Sequence, residues 1–248
     1  MISKPVKTIF IKEFTSYFKT PLGYVFLVIF LFGIGYLTFE PGRGSFFFLR
    51  ESSMTSFFRY IPWMFLFLIP AVSMRLWSEE RKSGTIELLF TMPITVPQAV
   101  IAKFLASWAF IGIALIGTIP MVFTVIYLGN PDLGVAILGY LASFLMAGAL
   151  LAVGSFFSAL TKNQVVSFIL TVCVSFLLIM AGSPPILEFI STFSPKYIVD
   201  LFESLSVLNH FDSIERGVFG LSNLWFFTVM IGCWLYGNIV LLKENKAN

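Results

Sequence analysis

The amino-acid sequence predicts an all-α integral membrane protein with six transmembrane helices. Of its 248 residues, 58% are hydrophobic and 12% are charged, whereas about a quarter of the residues in a soluble domain are charged. Six apolar runs approach or exceed the roughly 20 residues with which a helix crosses a bilayer. Lysine and arginine are unequally shared between the segments on the two sides of these runs. Lipid is therefore the predicted solvent of most of the chain.

The six apolar runs occupy residues 22–39, 58–77, 96–128, 133–159, 165–181 and 221–242. The third and the fourth are longer than a bilayer requires, so we expect them to tilt or to project. With the N-terminus inside, the inner segments hold eleven of the sixteen Lys and Arg residues and the outer segments hold five. This asymmetry predicts that both termini are cytoplasmic. The net charge of +3 reflects the same asymmetry and does not indicate a nucleic-acid partner.

Residues 1–20 have the pattern of an amphipathic helix at the membrane interface. Apolar side chains recur at helical spacing, with the lysines elsewhere around the helix, at Val6, Ile9, Phe10, Phe14 and Tyr17. Glu13 is the exception, because 100° per residue places it on the apolar side, where a carboxylate requires a polar partner. Two interpretations stay open: Glu13 reaches water near a helix end, or it meets another cytoplasmic segment.

The segment 78–95 joins the second and third runs and is charged and broken by glycine. Its first charges, from Glu79 to Lys82, must lie outside the lipid core. Gly84 permits a sharp change of backbone direction, and residues 85–92 then form a predicted helix of about two turns that Pro93 ends. Thr95 and Gln98 have the spacing of a capping box that opens the next helix. Because so short a helix is unstable alone, we expect it to pack either on lipid headgroups or in a groove of a cytoplasmic partner.

Short amphipathic helices are predicted between residues 182 and 220, at the outer surface. One has its apolar side chains at Ile198, Leu201, Phe202 and Leu205, and another opens at Asn209, a favoured cap residue. In the latter, Asp212, Glu215 and Arg216 form the polar side. We expect His210 to be structural or solvated rather than catalytic.

The residues required for membrane-embedded catalysis or ion coupling are missing from the apolar runs. Away from the ends of the runs, Lys103 is the ionisable exception, and it can be drawn toward the cytoplasmic surface. The sequence has no His-Glu-x-x-His pair for zinc and no P-loop for ATP. Gly154 and Ser155 are better explained by a small-residue helix contact than by a serine-protease fragment. We therefore expect no bound cofactor or metal, and any energy must come from another chain.

Three stretches resemble, in order and at comparable spacing, the permease subunit of ABC-2 type transporters, most closely the permeases of gliding motility and of nitrous-oxide-reductase maturation. They are KEFTSYFKTPLGYVFL (Lys12–Leu27), YIPWMFLFLIPAVSMRLWSEERKSGTIELLFTMPIT (Tyr60–Thr95) and HFDSIERGVFGLSNLWFF (His210–Phe227). The resemblance covers essentially the whole chain. Its most specific part is the sequence EERKSGTIELL.

The resemblance implies a single six-span domain of the type V exporter class in a bacterial inner membrane. It implies a second permease copy, identical or a close paralogue, and two cytoplasmic ATPase subunits that hold ATP and Mg. The residues implied to seat in the ATPase groove are Glu79, Glu80, Arg81, Gly84, Thr85, Glu87 and Leu88, with Lys12 and Glu13 in a connecting helix beside them. Those implied to cap the translocation path are His210, Phe211, Arg216 and Gly217. The short outer loops suggest a membrane-anchored auxiliary protein with an extracytoplasmic domain.

Three functions remain as hypotheses. The first is export or translocation powered by the separate ATPase. The second is mechanotransmission, in which the same assembly conveys ATP-driven motion to an outer partner and moves no solute. The third is an intramembrane enzyme, which the missing polar residues disfavour. The thirty phenylalanines do not identify a hydrophobic substrate, because lipid-facing helices require the same composition.

Overall fold

The computed structural model describes residues 4–40, 54–87, 94–129, 131–218 and 220–247. Within these ranges the chain forms helices and no strand, which confirms the predicted all-α class. The helices are α1 (Lys4–Lys19), α2 (Pro21–Phe39), α3 (Thr55–Ser73), α4 (Ser78–Ser83), α5 (Val96–Ile116), α6 (Ile119–Leu128), α7 (Leu133–Leu160), α8 (Gln164–Met180), α9 (Pro184–Phe193), α10 (Lys196–Ser204), α11 (Val207–Glu215) and α12 (Leu221–Ala247).

Five stretches of the described chain are long and apolar enough to cross a membrane. They are Pro21–Phe39, Thr55–Ser83, Val96–Leu128, Leu133–Leu160 and Leu221–Glu244. The fifth predicted run corresponds to α8, which has 17 residues and meets α9 at an angle of 81°. This bent pair counts as a sixth span if it is taken as one broken helix. The chain is thus a multi-pass membrane protein, with five or six spans in its described residues.

The third run is interrupted, although the sequence predicted one long helix. The first part, α5, ends at Ile116, and α6 begins at Ile119. Pro120 in the first turn of α6 has no N–H to donate, so the helical hydrogen-bond ladder cannot continue through this point. At the break, the Leu115 carbonyl accepts both the Thr118 backbone N–H at 3.0 Å and the Thr118 hydroxyl at 2.6 Å.

The centre of the molecule is α7, which packs against α3, α5, α8, α11 and α12. Small residues allow this, because they let helix backbones approach closely where lipid supplies no hydrophobic driving force. A Cβ atom on Gly154 would lie 2.1 Å from the Ser73 hydroxyl oxygen on α3, and one on Gly148 would lie 2.8 Å from the Trp108 ring on α5. The predicted small-residue contact at Gly154 is therefore confirmed.

The three short helices α9, α10 and α11 differ in how far they enter the bundle. No residue of α9 or α10 is buried, whereas α11 buries Val207, Phe211, Ile214 and Glu215. The prediction that this helix opens at Asn209 was wrong. It opens at Val207 because the hydroxyl of Ser206 caps it, accepting the N–H of Asn209 at 3.3 Å.

Candidate functional site

A buried lysine joins four elements at the end of the bundle where α1 lies. The Lys103 side chain, on α5, is 4% exposed. Its Nζ donates to Glu80 Oε1 on α4 at 2.8 Å and to the carbonyl oxygen of Leu76, just after α3, at 2.9 Å. It also lies 3.3 Å from Glu13 Oε1 on α1. We call these residues, with Trp77, the Lys103 cluster.

The contacts of Lys103 match what a buried ammonium group requires. The group has three N–H donors, and three oxygen atoms lie within reach of it. The Trp77 ring centroid lies 5.0 Å from Nζ, within the range of a cation–π contact. Burial of an ion costs several kcal/mol unless such partners replace water. The cluster is therefore stable only while α1, α4 and α5 keep this arrangement.

The structure decides between the two interpretations of Glu13. The carboxylate meets another segment, at Lys103, with 19% of its side chain exposed. From the sequence, Lys103 can be drawn toward the cytoplasmic surface, and nothing there pairs it with Glu13. The usable signal was chemical: Glu13 and Lys103 are charges of opposite sign, each on an otherwise apolar stretch, and such charges tend to pair.

A second set of contacts fixes the start of the segment 78–95 on the central helix. The Ser158 hydroxyl of α7 accepts the backbone N–H groups of Trp77 at 3.0 Å and of Ser78 at 3.2 Å. It donates to the carbonyl of Met74 at 3.0 Å. Arg81 adds a hydrogen bond from Nη1 to the carbonyl oxygen of Ala159. One serine thus satisfies backbone groups that the end of α3 and the start of α4 would otherwise leave unpaired.

Trp77 lies inside the protein, although its residue type is common at membrane interfaces. It is 0% exposed, and its ring Nε1 donates to the Ser155 hydroxyl at 3.3 Å. That hydroxyl also accepts from Asn238 Nδ2 on α12 at 2.7 Å. The indole can be buried because its polar atom has a partner. The contact extends the site to α12.

The other side of the segment 78–87 is free of the bundle. The exposed residues are Glu79, Lys82, Ser83, Gly84, Thr85 and Glu87. Gly84 has φ = 72°, the left-handed conformation that ends α4 and that a glycine adopts at little cost. A further helical turn covers residues 85–87, and Leu88 and the rest of the predicted two-turn helix up to 93 lie outside the described residues. Lys12, on α1, is exposed.

The first helix is held to α5 at a second point. The Tyr17 hydroxyl lies 2.8 Å from the Ser107 hydroxyl, and its ring stacks on Phe110 with centroids 4.6 Å apart. Burial raises the pKa of Tyr17 far above its usual value, so the phenol stays neutral. Together with Glu13, this contact makes α1 part of the packed bundle.

The residues implied to cap the translocation path lie on α11 and just after it. Phe211 is buried, whereas Arg216 and Gly217 are exposed, the latter with φ = 86°. The His210 ring stacks on Phe226 with centroids 4.0 Å apart. Its Nδ1 lies 2.8 Å from Asn223 Oδ1, and its Nε2 lies 3.1 Å from the carbonyl oxygen of Ser204. These contacts give His210 the structural environment that we expected.

Glu215 is the outer residue that the sequence misplaced. It was assigned to the polar side of its helix, but it is 8% exposed. Its pKa is raised to about 7, chiefly by burial and also by the neighbouring Asp212, while Arg59 and Arg216 oppose the shift. Burial likewise raises the pKa of Asp212. The missed signal was the four-residue spacing from buried Phe211 to Glu215, which puts both on one helix face.

The described residues include no group of three or more His, Cys, Asp or Glu side chains that could hold a metal ion. The charges of the Lys103 cluster pair with one another, and an exposed, charged segment lies beside the cluster. Its arrangement is that of a rigid connection between a surface segment and membrane helices.

Comparison with known proteins identifies the family. The model of the ABC-2 family transporter protein matches residues 40–241, well over half of the chain, including the segment 78–95 and the helices α3 to α11. A search of curated proteins found no match. Membership of this family implies an ATP-binding-cassette ATPase as a partner. The chain therefore belongs to the ABC-2 transporter family, as a membrane-spanning permease subunit of an ABC transporter.

Proposed function

We propose that this permease couples ATP hydrolysis on a separate cytoplasmic ATPase to translocation across the membrane, and that the segment 78–95 receives the force. The proposal rests on the two different faces of this short segment. One face is fixed to the bundle through Lys103 and Ser158, and the other is exposed and charged.

The exposed face suits a protein partner better than bare lipid headgroups. Glu79 and Glu87 carry negative charge there, beside the positive charge of Lys82. Carboxylates are repelled by the anionic lipids of a cytoplasmic leaflet, whereas a protein groove can supply complementary charges of both signs. The ATPase that the family implies is such a partner.

The fixed face provides the route for the force. Movement of α4 acts on α3 directly along the chain, on α5 and α1 through Lys103, and on α7 through Ser158 and Arg81. Because these contacts are buried and directional, the helices would move together as a rigid body rather than bend one by one. ATP drives the change if it favours one of the two arrangements.

In the proposed assembly, the end of the bundle that carries α1 and α4 is cytoplasmic, in a bacterial inner membrane. Two permease chains contact two ATPase subunits, which hold ATP and Mg. His210 and Phe211 on α11, with Arg216 and Gly217 just after it, lie at the opposite, outer end and close the path.

The test is ATP hydrolysis by the permease purified with the ATPase encoded beside it. Glu87→Arg reverses a charge on the exposed face, so we expect roughly tenfold or greater loss of ATPase affinity, because unlike charges become like charges across the interface. Gly84→Pro cannot adopt φ = 72° and should abolish coupled activity. Glu188→Arg, on exposed α9 at the opposite end, is the matched control and should change neither. If Glu87→Arg and Gly84→Pro leave complex formation and coupled hydrolysis intact, the proposal is wrong.

A further inference from the structure

We infer that a groove along the lipid-facing side of α5 and α7 binds an acyl chain of an anionic phospholipid, with its headgroup held at Lys7. Two adjoining cavities form the groove. One, of about 660 Å³, lies between α5, α6 and α7, and the other, of about 500 Å³, lies where α1 crosses α5. They adjoin at Ala109 and Phe144, which line both. Each volume is within the range of about 300–1,000 Å³ typical of ligand pockets.

The lining of the groove is suited to hydrocarbon. Tyr140 lines the larger cavity, and its phenol oxygen is already paired with the Thr118 hydroxyl at 2.9 Å. In the smaller cavity, the indole N–H of Trp108 is paired with the carbonyl of Phe144 at 2.8 Å. Neither side chain therefore presents an unsatisfied polar group to an occupant, so an acyl chain can bind there without the free-energy cost of leaving a polar group without a partner.

The floor of the groove is rigid. The Trp108 and Phe144 rings stack with centroids 4.4 Å apart and nearly parallel planes. Gly112 allows the Phe144 ring to pack closely on α5, since a Cβ atom there would lie 3.1 Å from the ring. A preformed groove binds a chain with little ordering cost on the protein side.

The charge at one end identifies the occupant. Lys7 lines the smaller cavity and is exposed. On the same helix, Lys12 and Lys19 are also exposed, while the acidic residue of α1, Glu13, faces Lys103. Basic pockets at the ends of transmembrane helices attract anionic headgroups. A helix from a second copy would fill the apolar part of the groove, but it would not supply the negative charge that Lys7 favours.

The test is native mass spectrometry of the full chain, reconstituted in equal amounts of phosphatidylglycerol and phosphatidylcholine and then extracted in mild detergent. We expect one retained phosphatidylglycerol per chain, in preference to phosphatidylcholine. Lys7→Gln should reduce this preference about fivefold, the effect of one lysine near an anionic surface. Ala109→Phe should abolish retention of either lipid by filling the groove. Lys19→Gln, which changes an exposed lysine outside the groove, and Val165→Phe, at an exposed position on α8, are the matched controls and should behave as the wild type.

Equal retention of the two lipids, or retention unchanged by both Lys7→Gln and Ala109→Phe, would overturn the inference. Since Lys7 is exposed, its replacement should not unfold the chain, so the test stands even if Ala109→Phe misfolds. A diazirine amino acid at position 113, which lines the groove, identifies the occupant directly. An adduct with the mass of phosphatidylglycerol supports the inference, and an adduct with a second copy of the chain refutes it.

Discussion

Replacement of Lys103 by methionine removes the charge at the centre of the cluster and leaves the side-chain volume nearly unchanged. The carboxylates of Glu13 and Glu80 then face each other without a counter-ion, and the Leu76 carbonyl loses its donor. Loss of one partner from a fully buried ion pair costs about 3–5 kcal/mol. The two carboxylate side chains are 19% and 22% exposed, so water relieves part of the penalty and we expect about 3 kcal/mol.

This loss of stability has a measurable size. For a chain of 150–250 residues, 1 kcal/mol shifts the melting temperature by about 2–4 °C, so Lys103→Met should lower it by about 6–12 °C. The measurement is thermal unfolding of the purified chain in one detergent, followed by tryptophan fluorescence or light scattering. The double variant Lys103→Met with Glu80→Gln should be destabilised by less than the sum of the single changes, because the repulsion disappears with the second charge.

A melting temperature within about 2 °C of the wild type would refute the reasoning. Strict additivity in the double variant would refute it as well, since it would mean that Lys103 and Glu80 do not interact. Lys162→Met, which removes an exposed lysine after α7, controls for the change of net charge and should have almost no effect.

Three further predictions concern other contacts. Ser158→Ala leaves two buried backbone N–H groups without their acceptor and should lower the free energy of unfolding by about 1–3 kcal/mol. Ser143→Ala removes a hydroxyl that bonds only within its own helix and should lower it by less. Thermal unfolding of both variants checks this. Gly154→Ala should destabilise, because its Cβ would lie 2.1 Å from a serine oxygen, while Gly35→Ala, with open space around it, should be neutral or stabilising by up to about 1 kcal/mol. The pKa of Glu215 is raised from 4.5 to about 7, so its protonated form favours the fold and stability should fall as the pH rises from about 4.5 to about 7. Glu215→Gln should flatten that part of a profile of melting temperature against pH. A profile that the substitution leaves unchanged would contradict the assignment.

The fold class follows from the sequence because lipid imposes a simple rule. Long apolar runs must be helical, so α2, α3, α5, α7 and α12 were recognisable from hydropathy and length alone. The break before α6 was not recognised. Pro120 marks the break, but hydropathy does not register a missing backbone N–H, so it predicts one continuous helix.

The site was only partly predictable, since its key contacts are distant in sequence. The charged segment and Gly84 stand out locally. The structure finds Glu79, Lys82, Gly84 and Glu87 exposed, and it has Gly84 at φ = 72°, which fits the predicted change of backbone direction. The connection from Glu13 to Lys103 spans ninety positions, and only tertiary packing brings the two charges together. For Glu215 the signal was local, because its four-residue spacing from Phe211 puts both on the buried face of α11.

The most direct test of the coupling claim is photo-cross-linking in membranes from a diazirine amino acid at position 87, on the exposed face of the segment 78–95, with position 188 at the opposite end as the control. The claim predicts an adduct with a P-loop ATPase from position 87, with a yield that changes with nucleotide, and none from position 188. Adducts from position 87 that contain only lipid, in every nucleotide state, would contradict it.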